Sequence, residues 1–277
     1  MTTGTEPGAA DRAARVGVEI RGDGLARVTL RRGEAGNAIG LETARGLLDA
    51  ARACERARVR AVLLNGEGKS FCVGGDLREF SRLAGADLEK HLVAVTEALH
   101  DALRTFAALD APMVAAVQGA VAGAGVGLAT AADVTLAADT ASFTAAYTGI
   151  GYSPDAGVSW QLPRLVGPKR ALDLLLTNRR IPAAEAAAIG LVSRVVPAGE
   201  LVAEAERTAE ELRRGPTAAY GATRRLVASG LTADLAPHLD REARALAAAA
   251  ASDEGREGVA AFLGKRAPDF TALSPGP

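Results

Sequence analysis

Cysteine, histidine and aromatic residues are scarce in this chain of 277 residues, and neither sign of charge is in excess. The two cysteines, Cys54 and Cys72, have no metal-like spacing, which argues against a disulfide scaffold or a zinc module. The three histidines, His91, His100 and His238, are scattered, so metal sites and triads built on histidine are not expected. With 32 Lys+Arg against 33 Asp+Glu the net charge is −1, and nothing draws the chain as a whole to nucleic acid or to an anionic membrane. No apolar run approaches the roughly 18–20 residues that cross a bilayer. Residues 1–15 lack the apolar stretch of a secretory signal. These absences leave a soluble, cytoplasmic α/β protein as the expectation. What the chain has in quantity is alanine and glycine, residues that let backbones pack closely.

Read along the chain, residues 1–14 are polar and Gly/Pro-containing, and they read as disordered. Residues 16–20 and 26–30 alternate apolar side chains around Gly22-Asp23-Gly24, the pattern of a β-hairpin. Leu41, Ala44, Leu47, Leu48, Ala51 and Cys54 recur at helical spacing. Short apolar runs at 61–64, 113–117 and 134–136 read as strands buried on both faces. Between them lie a long helical stretch over 86–109, ended by Pro112, and a helix of small residues over 119–132. Strands alternating with helices predict an α/β fold with a parallel sheet. From about Pro182 onward the pattern turns nearly all helical. The expected division is a core over 15–200 and a helical region over 201–277.

Two glycine-rich loops follow buried strands. The first contains Phe71-Cys72-Val73-Gly74-Gly75-Asp76-Leu77; the second runs from Gln118 and Gly119 through Gly123-Ala124-Gly125-Val126-Gly127 into a helix. Free N–H groups at such a helix start favour negative charge. The Gly-x-Gly-x-Gly spacing superficially fits a dinucleotide fingerprint, but it lies mid-chain rather than in a first βαβ unit. A nicotinamide dehydrogenase is therefore the weakest reading.

The first loop resembles the Phe-Cys-Ala-Gly-x-Asp-Leu stretch of the crotonase (enoyl-CoA hydratase/isomerase) superfamily, and the second resembles that family's second loop and the helix it starts. The resemblance extends through Ile150-Gly151-Tyr152-Ser153-Pro154-Asp155-Ala156-Gly157, Leu162-Pro163-Arg164-Leu165-Val166-Gly167, Gly190-Leu191-Val192 and the tail with Phe262, Lys265 and Arg266. It implies a spiral of β-β-α units with a C-terminal helical trimerisation region, in a homotrimer or a dimer of trimers. It also implies an acyl-CoA substrate, no cofactor beyond the coenzyme A of that substrate, and no metal. Two backbone N–H groups, from Gly75 and Ala124, would hold the thioester oxygen. CoA contacts would come from Arg32, Ala38, Val73, Gly74, Asp76, Leu77, Phe262 and Lys265.

Hydratases of this family carry two glutamates, and Gly127 and Tyr147 stand at those positions. The two-glutamate addition of water is therefore not expected. Asp155 supplies a carboxylate instead, at a position where similar stretches of phenylacetate-pathway ring isomerases and dienoyl-CoA isomerases place their proton-moving acid. A helix N-cap is the plain alternative for an Asp there. The expectation is an acyl-CoA isomerase with catalytic Asp155, Gly75 and Ala124, and with Tyr147 and Gly127 in the substrate pocket. A CoA thioester or C–C bond hydrolase and a non-catalytic acyl-CoA-binding paralogue are the alternatives. Arg78 and Glu79 read as a solvated helix turn, and Trp160 reads as core.

Overall fold

Apolar alternation on either side of a glycine turn gives the hairpin its form in the computed structural model, which describes residue 12 and residues 14–273. Strands β1 (Val16–Ile20) and β2 (Leu25–Leu30) pair antiparallel, with Val16 opposite Leu30. The expected disorder of residues 1–14 lies outside the described residues except at Arg12 and Ala14, and Arg12 pairs with Asp49 at 2.9 Å. Strands β3 (Ala61–Gly66), β4 (Met113–Val117) and β6 (Val134–Ala138) extend the sheet in parallel, as their continuous burial requires. A short β9 (Arg194–Val196) completes it beside β6, giving the order β1-β2-β3-β4-β6-β9. The expectation of nearly continuous helix after Pro182 misses this strand.

Helix α1 (Leu41–Arg56) buries Ala44, Leu47, Ala51 and Cys54 along one face. It packs against α3 (Gly85–Ala108), which follows a one-turn helix α2 (Leu77–Phe80). The expected helix over 119–132 divides in two. Ala120–Ala122 forms strand β5, and only Ala124–Ala131 is helical (α4). Strand β5 pairs with β7 (Ser142–Thr144), which pairs with β8 (Ile181–Pro182) in a second, three-stranded sheet. Helices α5 (Val158–Val166) and α6 (Pro168–Thr177) pack against each other, and α7 (Ala183–Ala188) lies against β7 and β8.

The first helix past the boundary expected at 200 packs on the central sheet. Helix α8 (Leu201–Arg213) buries Leu201, Ala205 and Ala209 and lies against β3, β4 and β6 as part of the core. Beyond it, α9 (Thr217–Gly230), α10 (Leu235–Ala251) and α11 (Asp253–Leu263) bury only Gly221 and Ala261 between them. Their apolar faces stand open, with Leu235, Leu246, Phe262 and Leu263 all largely exposed. Trp160, expected in the core, is half exposed, and the Arg164 guanidinium lies 4.0 Å over its ring. Among the described residues, no helix is long and apolar enough to cross a membrane.

Candidate active site

Parallel strands β3 and β4 end side by side, so the loops that follow them emerge at the same edge, where α/β sheets commonly bind ligands. Backbone hydrogen bonds then tie the two loops together. The N–H of Phe71 donates to the Gln118 carbonyl at 2.8 Å, and that of Ala122 donates to the Cys72 carbonyl at 2.9 Å. On its other side the first loop pairs with Ile39, whose N–H donates to the Gly74 carbonyl at 2.8 Å. Gly74 has φ +96°, a conformation that glycine adopts at little cost.

Asn37 holds the first loop from beneath. It is fully buried, and its Nδ2 donates to the carbonyls of Glu67, Ser70 and Phe71 at 2.9–3.0 Å. Its Oδ1 accepts from the Arg32 N–H at 2.8 Å. Every polar atom of this side chain is spent on backbone, which makes Asn37 a clamp that spacing alone does not disclose. Glu79 is a second such residue, and the expected solvation of this carboxylate is incorrect. Its Oε1 accepts from the Leu41 N–H at 2.9 Å and lies 2.7 Å from His91 Nε2, joining α1, α2 and α3.

A cleft of about 590 Å³, within the size range of small-molecule pockets, opens beside these loops. Gly75, Ala124, Tyr147 and Asp155 line it together with apolar residues such as Leu92 and Leu99. Among the described residues, no carbonyl or side chain accepts a hydrogen bond from the N–H of Gly75 or of Ala124. Ala124 is the first residue of α4, so its N–H has no partner within the helix and lies at the positive end of the helix dipole. The two donors are thus both unspent and on one cleft.

Among the described residues, Asp155 is the only acidic one in that lining. It is half-buried, and its Oδ1 accepts from Tyr147 Oη at 2.6 Å. The N-cap alternative does not hold, because Gly157 precedes α5 and no side chain caps the helix. Tyr147 is buried, and burial together with the neighbouring Asp155 carboxylate pushes its phenol well above the usual value, so the hydroxyl stays protonated and donates.

Other expected site residues fall elsewhere. Gly127 does not line the cleft: a Cβ there would stand 2.7 Å from the Cβ of Ala156, so the Asp155–Ala156 segment already fills the space a side chain would need. Val73, Gly74 and Leu77 border the cleft. Ala38 is buried, and its carbonyl accepts from Arg32 Nη1 at 3.0 Å. The same nitrogen is 2.9 Å from Asp76 Oδ2. Arg32 and Asp76 therefore hold each other and the loop rather than reaching outward. Burial works to raise the Asp76 carboxyl, but the Arg32 guanidinium and the Glu79 N–H outweigh it and hold the group below the usual carboxylate range. Phe262 and Lys265 lie exposed at the end of α11 and do not line this cleft within one chain.

The sequence matches the enoyl-CoA hydratase/isomerase family over residues 21–273. It is 41% identical over 249 residues to a protein of Rhodobacter capsulatus named probable enoyl-CoA hydratase, covering 90% of this chain and 95% of that one. It is 34% identical over 249 residues to the 1,2-epoxyphenylacetyl-CoA isomerase of Escherichia coli, again covering 90% and 95% of the two chains. The crystal structure of an enoyl-CoA hydratase from a Polaromonas species superposes with a TM-score of 0.85 at 33% identity, covering 92% of this chain and 98% of that one.

Proposed function

The chain belongs to the enoyl-CoA hydratase/isomerase family, and from that premise we propose that it is an acyl-CoA isomerase that moves a double bond by proton transfer at Asp155. The observation that carries this reading is a single acidic side chain on a cleft with two unspent backbone donors. Asp155 takes a proton from C2 of a 3-enoyl thioester, leaving a dienolate. The N–H groups of Gly75 and Ala124 hold its oxygen, where preorganised donors stabilise the charge as it develops; losing one such donor typically costs about 100–1000-fold in rate. The same carboxyl returns the proton to C4, and the double bond ends conjugated to the thioester. No water enters and no bond to CoA breaks. Tyr147 donates to the carboxylate and orients it.

Addition of water is disfavoured by the same geometry. A second carboxylate at position 127 would have to occupy the space of Ala156, and position 147 carries a phenol. The pantetheine arm of CoA passes Val73, Gly74 and Leu77 at the cleft's border. The open faces of α9, α10 and α11 are covered by further copies of the chain, in a trimer or a dimer of trimers.

The test is Asp155→Asn, assayed on trans-3-hexenoyl-CoA and on a small panel of aromatic and unsaturated acyl-CoAs. Turnover should fall by about 100–10,000-fold, the usual worth of a general acid–base group, while acyl-CoA binding persists. A thiol reagent should detect no free CoA; its release would establish the hydrolase alternative instead.

A further inference from the structure

His100, on the cleft-lining helix α3, hydrogen-bonds to the segment that carries Asp155. Its Nε2 accepts from the Ala156 N–H at 3.0 Å. Ala156 is fully buried at φ 50° and is followed by Gly157 at φ 75°. Left-handed backbone at an alanine persists only when its surroundings hold it. Two contacts do so here. Ala156 packs beside Gly127 of α4, where a side chain would collide with it, and His100 anchors the amide.

The peptide unit that joins Asp155 to Ala156 is thereby fixed at both ends. Its N–H donates to His100, and its carbonyl accepts from the Val158 N–H at 3.0 Å, at the start of α5. This holds the Asp155 Cα in place, and from there the side chain reaches Tyr147, with Oδ1 2.6 Å from Tyr147 Oη. We infer that His100 is a positioning residue for the proposed reaction: by accepting the Ala156 N–H it holds the Asp155 carboxylate in line with the acyl chain. This inference rests on the proton-transfer reading given above. It assigns His100 no proton of the substrate and no contact with it.

Two substitutions separate positioning from packing. His100→Gln keeps an acceptor, the amide oxygen, whereas His100→Leu fills the space without one. With trans-3-hexenoyl-CoA as substrate, kcat of His100→Leu should fall by as much as about 100-fold, the cost of a misplacement near 1 Å. KM should stay near the wild-type value, because the thioester is held by Gly75 and Ala124. Amide hydrogen exchange at Ala156 should quicken in the same variant, and His100→Gln should recover most of the lost kcat and of the protection. Wild-type kcat in His100→Leu overturns the inference. So does a His100→Gln variant as slow as His100→Leu, with KM rising in step. Asp155→Asn, run alongside, keeps the claims apart. If it is inactive while His100→Leu is fully active, only the role of His100 falls; if it is fully active, the proton-transfer reading falls with it.

Discussion

At the scale of single residues, the site depends on positions where a small side chain or a buried polar group leaves no alternative. Gly127 is the clearest case. Gly127→Glu would introduce a second carboxylate beside the cleft but would force Ala156 and Asp155 aside, since even its Cβ meets the Ala156 side chain at 2.7 Å. The variant is expected to lose stability by about 1–3 kcal/mol, as overpacking typically does, and to lose isomerisation without gaining hydration; denaturant unfolding and product mass spectrometry check both. Tyr147→Phe removes a hydrogen bond to a charged acceptor, an interaction worth about 1.5–3 kcal/mol. Turnover of 3-hexenoyl-CoA should drop while binding, measured by titration, is retained. The thiols of Cys54 and Cys72 are pushed up to about 11 and about 12 by burial. Neither should react with a thiol reagent near neutral pH until the protein is unfolded, so an assay for released CoA on the native enzyme has no background from the chain.

Asp76 links residue chemistry to pH. Its carboxyl lies below the ordinary value near 3.9, because Arg32 and the Glu79 N–H prevail over burial. A depressed carboxyl contributes stability that is fully present above the unfolded value and is lost as pH falls through the folded one. Unfolding free energy should therefore decline below about pH 4, and Asp76→Asn should flatten that part of the curve. Thermal unfolding across acid pH measures the slope.

At the scale of elements, periodicity was informative wherever a segment buries one face or both. The helical spacing of Ala44, Leu47 and Ala51 in α1 reports a face turned to the core; the alternation in β1 predicts the strand but not its burial, since Val18 and Ile20 are exposed and β2 is buried almost throughout. It fails at β5, where Ala120, Val121 and Ala122 are as small as the helix that follows; the strand exists because it pairs with β7 and meets Cys72 of the first loop. The two loops of the site were visible as motifs, but their clamps were not. Asn37, Glu79 and His100 act by hydrogen bonds to backbone or side chains distant in sequence, and a lone polar residue carries no periodic signal. Only Glu79 had one local sign, the Asp76-x-x-Glu79 capping pattern, in which Asp76 Oδ1 accepts from the Glu79 N–H at 3.1 Å.

At the scale of the whole molecule, the near-zero net charge and the shortage of histidine agree with the proposed chemistry, in which backbone N–H groups and one carboxylate act. The C-terminal helices present the opposite imbalance. They form a groove of about 890 Å³ lined by residues such as Leu226, Leu246, Val259 and Phe270, while Phe262 is 83% exposed. Exposed apolar residues along this groove fit the proposed contact between copies of the chain. Sedimentation should give three or six copies, and the paired charge substitutions Leu246→Glu and Phe262→Glu should release smaller species.

The central claim is that one carboxylate, Asp155, moves one proton along an acyl-CoA. Mass spectrometry of trans-3-hexenoyl-CoA after incubation with the wild-type and Asp155→Asn enzymes tests it most directly, with ultraviolet absorbance reporting conjugation. The wild-type product should keep the mass of the substrate and gain the conjugated-thioester absorbance, and Asp155→Asn should form it about 100–10,000-fold more slowly despite retained binding. A product heavier by one water, or full conversion by Asp155→Asn, would contradict it.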